Sequence, residues 1–78
     1  MKQKLLSAET DLTSATNVSN ASVVRLYNSS ADTAILVSNS NGSSMTMPAG
    51  SVAYIIKEPS ETLSGGADIL AVSIAYAS

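Results

Sequence analysis

The chain contains no cysteine, no histidine, no tryptophan and no phenylalanine. Without cysteine there is no disulfide framework and no thiolate zinc site. Without histidine, the commonest metal ligand and the commonest general base are both missing. Charge is scarce as well: 13% of residues are charged, against about a quarter in an ordinary globular chain. Long hydrophobic runs are absent, and no segment approaches the roughly 18 apolar residues of a membrane span. The N-terminal Met-Lys-Gln-Lys-Leu-Leu resembles the start of a secretory signal. Glu9 and Asp11 interrupt it well before an apolar stretch of about 7–15 residues can form. These absences lead to the expectation of a chain made in the cytosol that neither enters nor crosses a membrane.

Seventy-eight residues fill a single domain. A chain of this size hides only about 60% of its unfolded surface, so its stability is marginal. Small domains compensate with disulfides, a metal or oligomerisation, and here the first is excluded and the second has little to build on. Apolar residues nonetheless make up 45% of the chain. High hydrophobicity with low net charge is the opposite of the disordered signature. Ser, Thr and Asn take the place that mixed charges occupy on a typical monomer surface. That exchange fits a neutral solvated face and an association surface equally well. The net charge of −2, with Lys2, Lys4, Arg25 and Lys57 scattered along the chain, argues against a nucleic-acid binder.

Apolar periodicity predicts an all-β fold, a small antiparallel β-sandwich or barrel of about six or seven short strands. In Ile69–Ala77, Leu70, Val72, Ile74 and Tyr76 alternate with Ala71, Ser73, Ala75 and Ala77, the period of a strand with one large and one small face. The small face suits close approach either by a second sheet of the same chain or by another subunit. Ser51–Lys57, Ser22–Tyr27, Thr33–Asn39 and Ser43–Met47 alternate in the same way, and Gln3–Leu12 reads as a sixth, less regular strand. No window has apolar residues at helical spacing. Asn41-Gly42, within Ser-Asn-Ser-Asn-Gly-Ser, marks a hairpin with a loop of more than two residues, and Pro48-Ala49-Gly50 marks a tight turn. Residues 1–21 are expected to be an N-terminal strand or arm plus a loop, flanking a sandwich core over 22–78.

Groups for chemistry are few. Glu58 and Glu61 bring two carboxylates near one another across Pro59, but a glycosidase pair also needs a deep cleft, so a solvated turn is the better reading. No Asp-x-Asp-x-Asp-Gly loop exists for calcium. Serines have no histidine beside them, and no Ser-x-x-Lys motif offers another base. Ser64-Gly65-Gly66 lacks the Lys-Ser/Thr of a phosphate loop. The sequence therefore predicts no enzyme, no cofactor and no metal. Candidate interface residues are Lys2, Lys4, Leu5 and Leu6 in the N-terminal arm, Leu63 in the Glu58–Gly66 loop, Met45 and Met47, whose thioethers adapt to contacts, and the three tyrosines, Tyr27, Tyr54 and Tyr76.

The stretches Val23-Val-Arg-Leu-Tyr-Asn28, Ala34-Ile-Leu-Val-Ser-Asn39, Met45-Thr-Met-Pro-Ala-Gly50, Ser51-Val-Ala-Tyr-Ile-Ile-Lys-Glu58 and Ala71-Val-Ser-Ile-Ala-Tyr76 follow one another. Together, over residues 22–77, this order resembles the small β-rich virion proteins of marine tailed phages, cyanophages in particular. The resemblance carries no catalytic motif. It implies a virion structural protein assembled in the host cytoplasm. The first expectation is a capsid decoration or cement protein, a homo-oligomer such as a trimer, bound to a major capsid or other virion protein. Two alternatives remain: a neck or tail component such as an adaptor or stopper, and a carbohydrate- or host-binding β module.

Overall fold

A computed structural model describes residues 2–77, with the side chains of Lys2, Tyr76 and Ala77 outside the description. The fold is all-β, with eight short strands in two antiparallel sheets and no helix among the described residues. The strands are β1 (Lys2–Leu5), β2 (Thr10–Leu12), β3 (Val23–Asn28), β4 (Ile35–Asn39), β5 (Ser44–Met47), β6 (Val52–Ile56), β7 (Leu63–Ser64) and β8 (Gly66–Ala77). The larger sheet runs β1-β8-β3-β6, with β2 following β1 along the same edge of β8, and the smaller sheet runs β5-β4-β7. Its accessible surface of 4438 Å² matches the roughly 4,400 Å² of a folded monomer of its mass.

Eight strands form where six or seven were expected, for two local reasons. The irregular Gln3–Leu12 segment divides into β1 and β2. Ser7 lies at the break, and its hydroxyl accepts the Ser73 N–H (3.1 Å) while Leu6 N–H donates to Ser73 O (2.8 Å). Leu63 adds the other strand: it pairs with Asn39 of β4, and its N–H donates to Thr16 O (2.8 Å) while its carbonyl accepts Thr16 N–H (3.0 Å). The β4–β5 hairpin closes through Asn39 N–H to Ser43 O (2.8 Å), leaving Ser40-Asn41-Gly42 as the loop. Gly42 takes a φ of +96° there, a conformation that a side chain resists.

Residues directly opposite one another in a ladder share a face, so the register assigns the two faces of the large sheet. Val24, Leu26, Ile69 and Ala71 point inward and meet Val37, Met47 and Leu63 of the small sheet, with Leu12, Val18 and Ala21 closing the same core. Ala53 and Ile55 of β6 pack against that core from its edge. The small-residue face of β8 thus meets the second sheet of its own chain. Segment 1–21 contributes two strands and three core residues. Val18 reaches the core at a cost: Val18, Ser19 and Asn20 all have φ near +55° (54°, 58° and 56°). This left-handed turn strains a β-branched residue. Asn17 caps the turn, accepting Asn20 N–H at 3.1 Å through its side chain and Ala21 N–H at 3.2 Å through its carbonyl.

Asn28 ties the two layers together, and the buried Lys57 ties β6 to the segment before β3. Asn28, at the end of β3, donates through Nδ2 to Met47 O (2.9 Å) and Thr33 O (3.0 Å) and accepts Ser30 N–H (3.0 Å) at Oδ1. Its backbone adds bonds to Ser51 O (3.0 Å) and from Gly50 N–H (2.9 Å). Lys57, only 5% exposed, turns its ammonium inward to Ala21 O (2.7 Å), Glu58 O and Pro59 O (both 3.3 Å). No buried side-chain N or O atom lacks a partner among the described residues, as native interiors require.

Candidate functional site: the outer face and free edge of the large sheet

The outward face follows from the same register. Val23, Arg25 and Tyr27 of β3 lie opposite Ile56, Tyr54 and Val52 of β6 on one side, and Arg25 and Tyr27 lie opposite Val72 and Leu70 of β8 on the other. Leu5 of β1 lies opposite Ile74. Apart from Arg25, Gln3 and Asp11, the residues the register places on this face are apolar or aromatic. Several are bare: Val52 is 43% exposed, Tyr54 48%, Ile56 85% and Leu5 68%, with Leu6 at 54% just past β1. Scattered surface leucines need no explanation, but contiguous apolar patches mark contact surfaces.

In β6 the alternation is legible, yet its direction is the reverse of the obvious one. The bulky set Val52, Tyr54 and Ile56 faces out, while Ala53, Ile55 and Lys57 face in. Lys57 goes inward because the carbonyls of Ala21, Glu58 and Pro59 converge where its ammonium ends. Burial holds its pKa below the usual 10.5, and the Glu61 carboxylate pulls it part of the way back. Tyr54 stands beside Arg25. Hydrogen bonding from the Gln3 side chain, then from Arg25, holds its phenol below the usual 10.0.

Two concavities adjoin this surface. A cleft of about 190 Å³ opens between the sheets, lined by Ser44 and Met45 on one side and Ile55 and Ile56 on the other. A second groove beside β1 is lined by Gln3, Leu5, Glu9, Arg25 and Val72. The cleft is lined by no titratable side chain, and the groove takes in Ser7, Glu9 and Arg25. The Glu61 carboxylate is structural: it accepts Glu58 N–H (2.8 Å), and Glu61 N–H donates to Glu58 O (3.0 Å), which closes the turn around Pro59. No cluster of three potential metal-binding side chains occurs among the described residues.

The interface residues expected from sequence separate sharply. Tyr54, Leu5, Leu6 and Lys4 are exposed, and Tyr27 is half-buried on the same outer face. Two expectations are overturned. Met47 lies opposite Ile35 in the β4–β5 ladder and shares its inward face, so it is fully buried. Leu63 is also core, because β7 seats it between Asn39 and Thr16. The Glu58–Gly66 loop is correspondingly tied down, with Ser40 N–H donating to Thr62 O (2.9 Å) and Thr62 N–H to the Ser40 hydroxyl (3.1 Å). Met45 lies opposite Val37 and is half-buried against the core. The Lys2–Leu12 segment, read as a strand or arm, pairs along β8 through β1 and β2. The side chains of Lys2 and Tyr76 lie outside the described residues. Sequence reasoning did not single out Val52 and Ile56; the absence of any charge from Val52 to Ile56 was the available signal. Compared with known proteins, the chain matches no family model, no curated protein and no solved structure.

Proposed function

We propose that the protein is a structural assembly module, a virion component of the capsid decoration or cement type, whose outer sheet face packs onto a larger protein surface. The observation that carries this reading is the bare apolar strip of Val52, Tyr54 and Ile56 along β6, on a domain whose own core is already complete. An apolar strip of this kind releases water when a matching surface covers it, at about 25 cal/mol per Å². A domain this small gains stability by mass action from any partner that binds only its folded form. The partners in this reading are further copies of the chain and a major capsid or other virion protein.

Decoration is favoured over a neck or tail role because a small module binding through one sheet face needs no central channel and repeats readily over a symmetric shell. Purified particles decide the matter by copy number, measured by quantitative mass spectrometry. Decoration requires a copy number in proportion to the capsid subunits, whereas a neck or tail component requires that of a single ring. Absence from particles would overturn both. Tyr54→Ser and Ile56→Ser variants that keep full occupancy would show that the outer face is not the contact.

A further inference from the structure

The free edge of β6 carries a second kind of information, in its backbone. Asn28 N–H donates to Ser51 O and Lys57 N–H to Ser22 O. With the antiparallel register Val24↔Ile55 and Leu26↔Ala53, the residues of β6 that exchange hydrogen bonds with β3 are therefore the odd-numbered ones. Ladder bonding alternates in an antiparallel pair, so the N–H and C=O groups of Val52, Tyr54 and Ile56 point away from β3, along the outer edge. No turn or loop of the described residues hydrogen-bonds to them.

Natural sheets protect such an edge with a charge, a proline, a bulge or a covering loop. Here the strand is Val-Ala-Tyr-Ile-Ile, without charge or proline, and its register with β3 is unbroken over five residue pairs. We propose that β6 pairs antiparallel with β6 of a second copy about a two-fold axis at Tyr54, joining the two large sheets into one.

The sequence of the strand is self-matching in that register. Tyr54 meets Tyr54 of the second copy, and Val52 meets Ile56. The two-fold axis repeats the Val52–Ile56 pairing, and all three resulting pairings use the outward-pointing residues, so each is a hydrogen-bonded pair exchanging two bonds. On the inner face Ala53 lies opposite Ile55, small against large. Beyond the strand, Glu58 falls opposite Gly50, so no like charges oppose one another. The two Arg25 side chains stand three strand spacings apart, about 14 Å, which is beyond the screening length of physiological salt. Two tyrosines side by side on one face form a favourable cross-strand pair. The partner is a second copy because the strand satisfies itself in size, charge and hydrogen bonding together. Pairing of copies is independent of which larger surface the outer face binds, and either could fail alone.

Sedimentation equilibrium on the full chain tests the proposal. The wild type should associate as a dimer. Ile56→Pro removes an N–H that only the second copy would use, and an edge strand tolerates proline at such a position. The dimer dissociation constant should rise at least tenfold (about 1.4 kcal/mol) while circular dichroism of the monomer is kept. Tyr54→Cys supplies an independent measurement on a chain with no other cysteine. Opposed residues in a hydrogen-bonded pair have Cα atoms about 5.5 Å apart, inside the range a disulfide spans. Mild oxidation should therefore give a covalent dimer, whereas Thr46→Cys on the other sheet should not. A monomeric wild type, a trimer, or a Tyr54→Cys variant that cross-links no faster than Thr46→Cys would overturn the proposal.

Discussion

Asn28→Ala tests how the two layers are joined. The substitution leaves the backbone bonds of residue 28 to Ser51 and Gly50 in place and deletes three side-chain bonds, to Met47 O, Thr33 O and Ser30 N–H. The bond to Met47 O is buried, so that carbonyl is left without a partner, at about 1–3 kcal/mol. The other two are partly open to water, which can replace the amide, and each loss costs about 0.5–1 kcal/mol. The total is about 3 kcal/mol, a large share of the roughly 4–12 kcal/mol a domain of this length possesses. With a urea slope near 1 kcal/mol/M, the unfolding midpoint should fall by about 3 M at unchanged slope. Urea titration followed by circular dichroism, at one fixed protein concentration, measures it. Asn28→Asp keeps the shape but turns a carboxylate oxygen toward two carbonyls, so it should be worse than alanine at neutral pH and partly recover in acid. A loss under about 1 kcal/mol for Asn28→Ala would refute the bridging role, because that is the worth of one exposed bond.

Leu63→Ala should cost about 2–5 kcal/mol through a core cavity, whereas Leu5→Ala should stay within about 0.5 kcal/mol in the monomer; thermal unfolding of the pair reads the contrast. Ser19→Gly relieves one left-handed residue on an exposed turn and should stabilise the fold by up to about 1 kcal/mol, seen as a raised urea midpoint. Tyr54 and Lys57 make stability depend on alkaline pH. Both have folded pKa values below their unfolded 10.0 and 10.5, so in the window just beneath those values the unfolded chain binds more protons. Stability must therefore rise with pH there, and Tyr54→Phe together with Lys57→Met should flatten the rise in urea midpoints taken across that window. Phenolate absorbance should likewise begin to grow below pH 10.0 in the wild type and lose its earliest component in Tyr54→Phe.

The fold class was legible because alternation is a local property. Leu70, Val72, Ile74 and Tyr76 declare a strand without reference to anything else in the chain, and Gly42 and Gly50 announce the turns beside their neighbours. The candidate site was legible only in part. Tyr54, Leu5 and Leu6 stand out by type, and they are exposed. Met47 and Leu63 looked equally available, yet they are core, because inward or outward is settled by a ladder partner distant in sequence. Leu63 depends on Thr16 and Asn39, and nothing within a few residues of it reveals either one.

What the sequence determined by itself was the all-β class, the exclusion of disulfide and histidine chemistry, and the two-faced character of each long strand. Period-two patterning, residue type and turn chemistry act within a few residues, so they survive reading in one dimension. Tertiary structure alone decided which face was which. In β8 the small residues went inward, where Ala71 lets the second sheet close over Ile69. In β6 the bulky residues went outward, because the ammonium of Lys57 finds its carbonyls only on the inner side. A single flip of face turns a core strand into an exposed apolar edge, and only long-range pairing sets that choice.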